Sequence, residues 1–294
     1  MVAVCELASG ALQAVVGACP EGSTTFYGAG INLFDVFWCA STGMHVQKLC
    51  SFNESLSMLQ SYKATGLRFF RFFATDWGPN KIFWYRNPEQ NWKELDRVWD
   101  AIDASGLYAI PSIRAGSWDE VADQVVPGLH EGPNDLVCNS TSVSRGIANM
   151  YFTQFVRRYH GRRSLLMWEL GNELNLMPNL PPPHCSESDH CFNTTAMVRF
   201  TKEMVALIRD IDPVSRPISS GFSTPRPFAW HMEHCPPNSS APGQCAADPS
   251  SRGFWATDSA AQFRENLRAQ QAAVDVWSIH LYVSTAAHVI TRRG

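Results

Sequence analysis

The chain has 294 residues, of which 45% are hydrophobic, enough for the core of one large α/β domain. Its formal net charge of −3 gives no reason to expect a nucleic acid or an anionic membrane as a partner. No apolar stretch reaches the roughly 20 residues that a membrane-spanning helix needs, so we predict no span.

Residues 1–22 form a first segment that is mildly apolar from Val2 to Val16. It has no basic start and contains Glu6, whereas a signal peptide begins with positive charge. We interpret 1–22 as an N-terminal segment that could be the remnant of a signal region, and we place one domain at 23–294.

Six short apolar or Gly-rich segments follow, and their composition and flanking turn residues predict β-strands. They lie at 26–32, 66–73, 107–113, 165–173, 216–221 and 274–282. Segments with helical spacing of apolar residues separate them, and their stripes begin at Leu56, Leu95, Ile147 and Met197. This alternation predicts a parallel sheet covered by helices, and the length suits a (β/α)8 barrel with about six βα units present.

Polar side chains occur near the ends of several predicted strands, where barrel enzymes carry their catalytic groups. Asn172 and Glu173 end the fourth strand, and a Pro-rich loop follows at 178–183. Glu173 could instead cap a helix or pair with an arginine. Its place among other strands that end on functional groups favours a catalytic carboxylate.

Three further side chains are candidates for the same site. Arg71 could be an ordinary ion-pair partner, or its fork of donors could hold a carboxylate in place. His280 and Tyr282 share one face of the sixth strand, so they are either a packed core pair or two hydrogen-bonding groups in the barrel mouth. Trp38, Trp77 and Trp118 follow early strands and could either stack on sugars or pack.

The nine cysteines and four N-glycosylation sequons favour an oxidising, extracellular location. The sequons begin at Asn53, Asn139, Asn193 and Asn238. Two His-Cys pairs, His184-Cys185 and His190-Cys191, lie in one short loop. A metal site would use such ligands, but the usual structural spacing is absent, so we favour a disulfide and predict no metal.

Three stretches resemble glycoside hydrolase family 5, and within it the endo-β-1,4-mannanases. They are 66–71, 168–173 and 278–282, with Trp118-Asp119 as a fourth, weaker likeness. The resemblance covers roughly 26–282 and implies a retaining (β/α)8-barrel hydrolase of β-1,4-mannan that needs no cofactor. It implies Glu173 as the acid/base, with Asn172, Arg71, His280, Tyr282 and Trp118 binding the sugar or supporting the site.

The resemblance stops before the second carboxylate that a retaining glycosidase needs. The family carries this nucleophile on its seventh strand and a Trp on its eighth, but residues 283–294 contain no Asp, Glu or Trp. The nucleophile is therefore unknown, strands 7 and 8 are predicted to be missing, and the chain alone is expected to be inactive. A β-glucanase of the same family and a non-catalytic glycan-binding protein stay open as alternatives.

Loss of two strands also predicts an open barrel. Six parallel strands in the order 1 to 6 would leave a gap between strand 6 and strand 1, because a closed barrel pairs its last strand with its first. Ile31, Val276 and Ile279 would be partly uncovered there. We expect poor solubility or dimerisation through this edge.

Overall fold

The computed structural model describes most of the chain. The described residues are 2–6, 12–16, 19, 21–41, 51–75, 83–114, 119–180, 192–235 and 255–280.

The N-terminal segment forms a small antiparallel sheet. Its strands β1 Val2–Glu6 and β2 Leu12–Val16 are joined by β3 Thr24–Thr25, which lies at the start of the predicted domain, in the order β2-β1-β3. A disulfide joins Cys5 to Cys19 and closes the segment that contains the hairpin. The origin of this segment as the remnant of a signal region stays a prediction.

The predicted parallel sheet is confirmed. Its strands are β4 Gly30–Asn32, β5 Phe69–Phe73, β6 Tyr108–Arg114, β7 Trp168–Gly171 and β8 Ile218–Ser219. Each pairs in parallel with the next along the chain, in the order β4-β5-β6-β7-β8. All C-terminal strand ends therefore lie at one edge of the sheet, as in an α/β barrel that is incomplete within the described residues.

The predicted sixth strand is only partly present. Val276 and His280 make isolated parallel bridges to Ser219 and Ser223. Side chains take some of the backbone donors that a continuous ladder would use: Asp275 Oδ2 accepts from Ile218 N at 2.8 Å, and Ser278 Oγ accepts from Phe222 N at 2.7 Å.

Helices connect the strands and cover the sheet. They are α1 Val36–Ala40, α2 Phe52–Ala64, α3 Phe83–Arg86, α4 Pro88–Ser105, α5 Asp119–Val125, α6 Pro133–Cys138, α7 Val143–Tyr159, α8 Thr194–Ile211, α9 Ala229–His234 and α10 Ala260–Gln271. The four predicted apolar stripes lie on α2, α4, α7 and α8. Side-chain caps fix where three of these begin, at Ser51, Ser142 and Asn193. In the described part, no helix is long and apolar enough to cross a membrane.

Aromatic rings dominate the core between sheet and helices. The ring centroids of Phe72 on β5 and Trp99 on α4 are 5.8 Å apart. The Trp99 ring stacks on the ring of Tyr159 on α7, with 5.3 Å between the centroids. Burying each such side chain stabilises the fold by about 1.5–3 kcal/mol. Tyr151 donates its hydroxyl hydrogen to the carbonyl oxygen of Ala74, and burial raises the pKa of Tyr151 well above its usual value.

The edge of the sheet beside residues 276–280 is incompletely covered, in line with the sequence analysis. Ile31 and Val276 are half-buried, and Ile279 exposes 42% of its surface. Within the described residues, no ladder joins this segment to β4. Dimerisation through this edge stays a prediction.

Candidate active site

The structure brings Arg71, Asn172, Glu173 and His280 together at the C-terminal edge of the sheet. Arg71 belongs to β5, Asn172 and Glu173 follow β7, and His280 belongs to the bridge segment beside β8. These positions come from three different parts of the chain. Their contacts define a candidate active site at the edge where α/β barrels carry their chemistry.

Arg71 organises the floor of this site. Its Nε donates to Glu169 Oε1 at 2.7 Å, and its Nη2 donates to Asn172 Oδ1 at 3.0 Å and to Ser112 Oγ at 3.3 Å. The Glu169 carboxylate is almost fully buried, so the guanidinium neutralises a charge that would be costly alone. Because Arg71 can only donate, Asn172 must turn Oδ1 towards it, and the Asn172 Nδ2 faces the other way.

The alternation of a strand would place Glu169 and Asn172 on opposite sides, and Glu169 was not predicted as a site residue. The structure shows both residues bonded to Arg71. β7 ends at Gly171, so Asn172 no longer obeys the period of two. The family resemblance implied that Arg71 binds the sugar or supports the site, and here Arg71 contacts Glu169 and Asn172.

Glu173 lies in a left-handed backbone conformation, with φ 57° and ψ 29°. This conformation is unusual for a residue with a side chain and costs of order 1 kcal/mol. The Glu173 N–H donates to Gly221 O at 2.9 Å, which holds the bend against the end of β8. The turn explains how a carboxylate directly after β7 can face the same space as Asn172.

His280 is the immediate partner of the Glu173 carboxylate. His280 Nδ1 lies 3.1 Å from Glu173 Oε1, and the two side chains are 17% and 20% exposed. When Glu173 is ionised, Nδ1 carries a hydrogen and donates it to the carboxylate. The contact is partly open to solvent.

Gly221 permits the close approach of β7 and the segment after β8. Its φ is 70°, and a Cβ built on it would lie 1.7 Å from Gly171 O and 2.8 Å from Glu169 Cδ. Only glycine fits this position, because any side chain would overlap the backbone that leads to Glu173. The residues between Ile218 and Gly221 thus form one wall of the site.

The site also contains Asn175, which was not predicted from the sequence. Asn175 Nδ2 donates to Ser223 O at 2.8 Å and to Gln270 Oε1 at 3.1 Å, while Asn175 Oδ1 accepts from Ser223 N at 2.9 Å. These contacts dock the turn after Glu173 onto the segment that follows β8. An Asn shortly after a strand end carries no periodic signal that could have revealed this role.

Two predicted site residues, Trp118 and Tyr282, lie outside the described residues, as does Trp77. Trp38 is described: its Nε1 donates to Thr75 O at 3.0 Å, and its ring packs 5.7 Å from Phe73. Its polar edge is therefore engaged inside the protein. The Cζ atom of Arg71 lies 5.0 Å from the centroid of the Phe73 ring, so Trp38 and Phe73 border the site.

A metal centre is not evident in the described part of the chain, where no three His, Cys, Asp or Glu side chains are grouped to hold an ion. The loop with His184, Cys185, His190 and Cys191 lies outside the described residues, so its disulfide stays a prediction. Cys39, Cys138 and Cys235 are disulfide-bonded.

A cavity of about 490 Å³ lies at the opposite edge of the sheet. It is lined by the turns that lead into β6 and β7, including Asp103 and Arg162, which form an ion pair with each other at 2.7 Å. Its polar groups thus serve the fold. The strand ends that carry Glu173 remain the better candidate for chemistry.

The model of the Cellulase family, glycosyl hydrolase family 5, matches residues 29–287. Comparison with curated proteins found no match. The fold is similar to solved structures that share little sequence with it, and these likenesses concern the fold alone.

The endo-1,4-β-mannanase from Rhizomucor miehei has a TM-score of 0.58 at 16% identity, over 95% of this chain and 71% of that chain. The endo-β-1,4-mannanase from Thermotoga petrophila has a TM-score of 0.54 at 15% identity, over 90% and 53%. The exo-β-1,4-mannosidase Op5Man5 from Opitutaceae bacterium strain TAV5 has a TM-score of 0.50 at 20% identity, over 94% and 41%. The present chain thus spans less than two thirds of two of these three proteins. Since the family model covers most of its length, the chain belongs to glycoside hydrolase family 5.

Proposed function

We propose that this chain provides the glycan-binding groups and the general acid/base, Glu173, of a site for the retaining hydrolysis of β-1,4-linked mannan. The observation that supports this most directly is the contact between Glu173 and His280 beside the Arg71–Asn172 pair, at the catalytic edge of a family 5 fold. The mannanases among the similar folds favour mannan as the substrate class.

In this mechanism Glu173 protonates the glycosidic oxygen as the leaving group departs, and then removes a proton from the attacking water. His280 fixes the Glu173 carboxylate through Nδ1. Asn172, with its Oδ1 held by Arg71, turns its Nδ2 towards a hydroxyl group of the sugar.

A retaining mechanism also needs a nucleophile, with its carboxylate about 5–5.5 Å from that of the acid/base. Residues 281–294 contain no Asp or Glu. Glu169 is a poor substitute, because it is buried and its Oε1 is bonded to Arg71. We therefore propose that this chain contains the acid/base and binding groups without the nucleophile, and that it binds glycan but does not hydrolyse it alone.

The test measures turnover and binding separately. Purified chain is assayed for release of reducing ends from galactomannan and glucomannan, and for binding of mannohexaose by calorimetry. We expect no turnover and measurable binding that Glu173→Gln and Asn172→Ala weaken. Turnover that disappears on Glu173→Ala would contradict the missing nucleophile and show that another residue serves.

A matched control is Glu21→Gln, which removes an exposed carboxylate in the turn before β3, away from the site. It should bind mannohexaose as the unsubstituted chain does. Equal weakening by Glu21→Gln and Glu173→Gln would show a non-specific charge effect and would contradict the proposed site.

The two alternatives give different results in the same experiment. A β-glucanase of family 5 would prefer cellohexaose to mannohexaose. A non-catalytic glycan-binding protein would bind as proposed, but joining the chain to a family 5 segment with strands 7 and 8 would not restore hydrolysis.

We further propose that the protein is secreted and glycosylated. The disulfide between Cys5 and Cys19 supports this, because such bonds persist in oxidising compartments. Expression with a eukaryotic secretion leader, followed by enzymatic removal of N-glycans, tests both points. A product whose mass does not change would contradict glycosylation, and a product that is retained inside the cell would contradict secretion.

A further inference from the structure

Asn175 lies two residues after Glu173, and its side chain is buried with 6% of its surface exposed. The side-chain amide pairs with both backbone groups of Ser223: Oδ1 accepts from Ser223 N at 2.9 Å, and Nδ2 donates to Ser223 O at 2.8 Å. One side-chain amide therefore supplies the two hydrogen bonds that a continuation of β7 would have made with the backbone of Ser223. Its loss would leave two buried backbone groups without partners.

Ser223 is also the bridge partner of His280. The backbone on either side of Ser223 is bonded to the same histidine residue, since His280 N donates to Phe222 O at 3.3 Å and Thr224 N donates to His280 O at 3.4 Å. The position of Ser223 thus sets the position of His280. Asn175 connects this segment to the turn that carries Glu173.

The turn itself needs such an anchor. Glu173 has a positive φ, and a three-residue 3₁₀ helix at Leu174–Leu176 follows at once. The Glu173 N–H bond to Gly221 O holds its beginning, and the Asn175 side chain holds its middle. Both anchors lie on the single segment from Gly221 to Ser223.

We propose that Asn175 is a positioning residue, which holds the Glu173 carboxylate against His280 by docking both on Ser223. The proposal builds on the proposed function of Glu173 as the acid/base. Asn175 acts through the backbone of Ser223, which fixes the distance between Glu173 and His280.

The test measures the coupling between the Glu173 carboxylate and the His280 ring. The ring Cε1–H signal of His280 is assigned by NMR. The change in its chemical shift that Glu173→Gln causes, called the displacement below, is recorded with and without Asn175→Ala. We expect the displacement to fall by at least half when Asn175 is removed. An unchanged displacement would overturn the proposal. The double substitution isolates this coupling from the separate effects of each change.

Two control variants separate positioning from general loosening of the loop. Asn179→Ala removes a hydrogen bond of 2.8 Å to Thr194 Oγ1 in the same loop, and Gln270→Ala removes the second acceptor of Asn175 while leaving Ser223. Both should retain the full displacement. A loss as large as that in Asn175→Ala would overturn the role of the Ser223 contact.

A second measurement needs no substitution and covers the case in which Asn175→Ala does not fold. The Ser223 amide hydrogen should exchange with solvent at least 100-fold more slowly than exposed loop amides. Exchange at the loop rate would overturn the proposal.

Neither readout uses glycan, so failure of mannohexaose binding would count against the proposed function alone. If the chain binds mannohexaose, Asn175→Ala should weaken binding and Asn175→Asp, which keeps the Oδ1 acceptor for Ser223 N, should weaken it less. Equal affinity in Asn175→Ala and the unsubstituted chain would count against the positioning role.

Discussion

Arg71 and Glu169 are 98 residues apart in sequence and form an ion pair of 2.7 Å beneath the candidate active site. Arg71 belongs to β5 and Glu169 to β7, and β6 lies between these two strands in the sheet. Both side chains are nearly buried, so neither charge is well solvated if the other is removed.

We expect Arg71→Met to lower the free energy of unfolding by about 3–5 kcal/mol, because it leaves the Glu169 carboxylate buried without its cation. Adding Glu169→Gln should recover part of this loss. Urea unfolding of the single and double variants measures both effects. If Glu169→Gln adds a further loss to Arg71→Met, the buried-charge explanation is wrong.

Gly221→Ala should destabilise the protein by more than about 3 kcal/mol, because backbone strain and overlap with Gly171 O add together. Gly66→Ala is the matched control: Gly66 also has a positive φ, of 87°, but a Cβ there meets no atom within 4 Å. It should cost only about 1 kcal/mol. Similar unfolding midpoints for the two variants would contradict the predicted overlap.

Asp96 on α4 clamps α7 by accepting hydrogen bonds from Arg158 and from the Tyr159 hydroxyl, the latter at 3.1 Å. The Arg158 hydrogen bond is the main reason that the pKa of Asp96 lies below its usual value of 3.8, although burial opposes it. A carboxyl with a lowered pKa stabilises the fold above its unfolded value and loses that effect as the pH falls through the folded value.

We therefore expect Asp96→Asn to cost about 0.5–1 kcal/mol at pH 7, because the pair with Arg158 is partly exposed and screened by solvent, and less as the pH falls below about 4. Chemical unfolding at pH 7, 4 and 2.5 measures the difference. The exposed Asp210 on α8 serves as control, and Asp210→Asn should change stability by no more than about 0.5 kcal/mol. A cost of Asp96→Asn that stays constant with pH would contradict the ion pair as its cause.

Glu233 on α9 should have the opposite pH dependence. Burial raises its pKa above the usual 4.5, and its Oε2 accepts from Asn266 Nδ2 at 3.3 Å. The folded state then binds the proton more tightly than the unfolded state, so this group costs stability as the pH rises from about 4.5 through the raised value.

Glu233→Gln should remove that cost. The melting temperatures of substituted and unsubstituted chains should differ little below pH 4, and the substituted chain should gain relative stability as the pH rises to 8. Parallel curves across this range would show that Glu233 does not titrate differently in the two states.

The sequence was sufficient to predict the sheet and four main helices. The stripe from Leu95 to Ile102 with Gly106 after it gave α4, whose C-cap glycine has φ 67°. By contrast, α10 was not predicted, because its buried side chains are Asn266, Gln270 and Gln271 rather than apolar residues. Hydrophobic periodicity cannot reveal a helix that packs through amides.

Residue types at strand ends predicted Arg71, Asn172, Glu173 and His280 as site residues; the structure places them at one edge of the sheet, and their roles stay predictions. The positive φ of Glu173 and the Asn175–Ser223 pair were not predictable, since both depend on a segment about 48 residues further along the chain. Glu169 was missed for a different reason. The alternation of a strand would place it on the side opposite Asn172, but Arg71 bonds to both residues.

The order of strand pairing has a consequence for synthesis. Each strand of the sheet pairs with the one made just before it, so β4 to β7 can assemble as the chain leaves the ribosome, in the N-to-C order in which domains generally fold. The Glu173 turn cannot form at the same stage of synthesis. Its backbone partner Gly221, its anchor Ser223 and its neighbour His280 are translated 48 to 107 residues later. A nascent chain that has emerged from the ribosome as far as residue 200 can therefore form the paired strands and the ion pair of Arg71 with Glu169, while the carboxylate of Glu173 still lacks its fixed position.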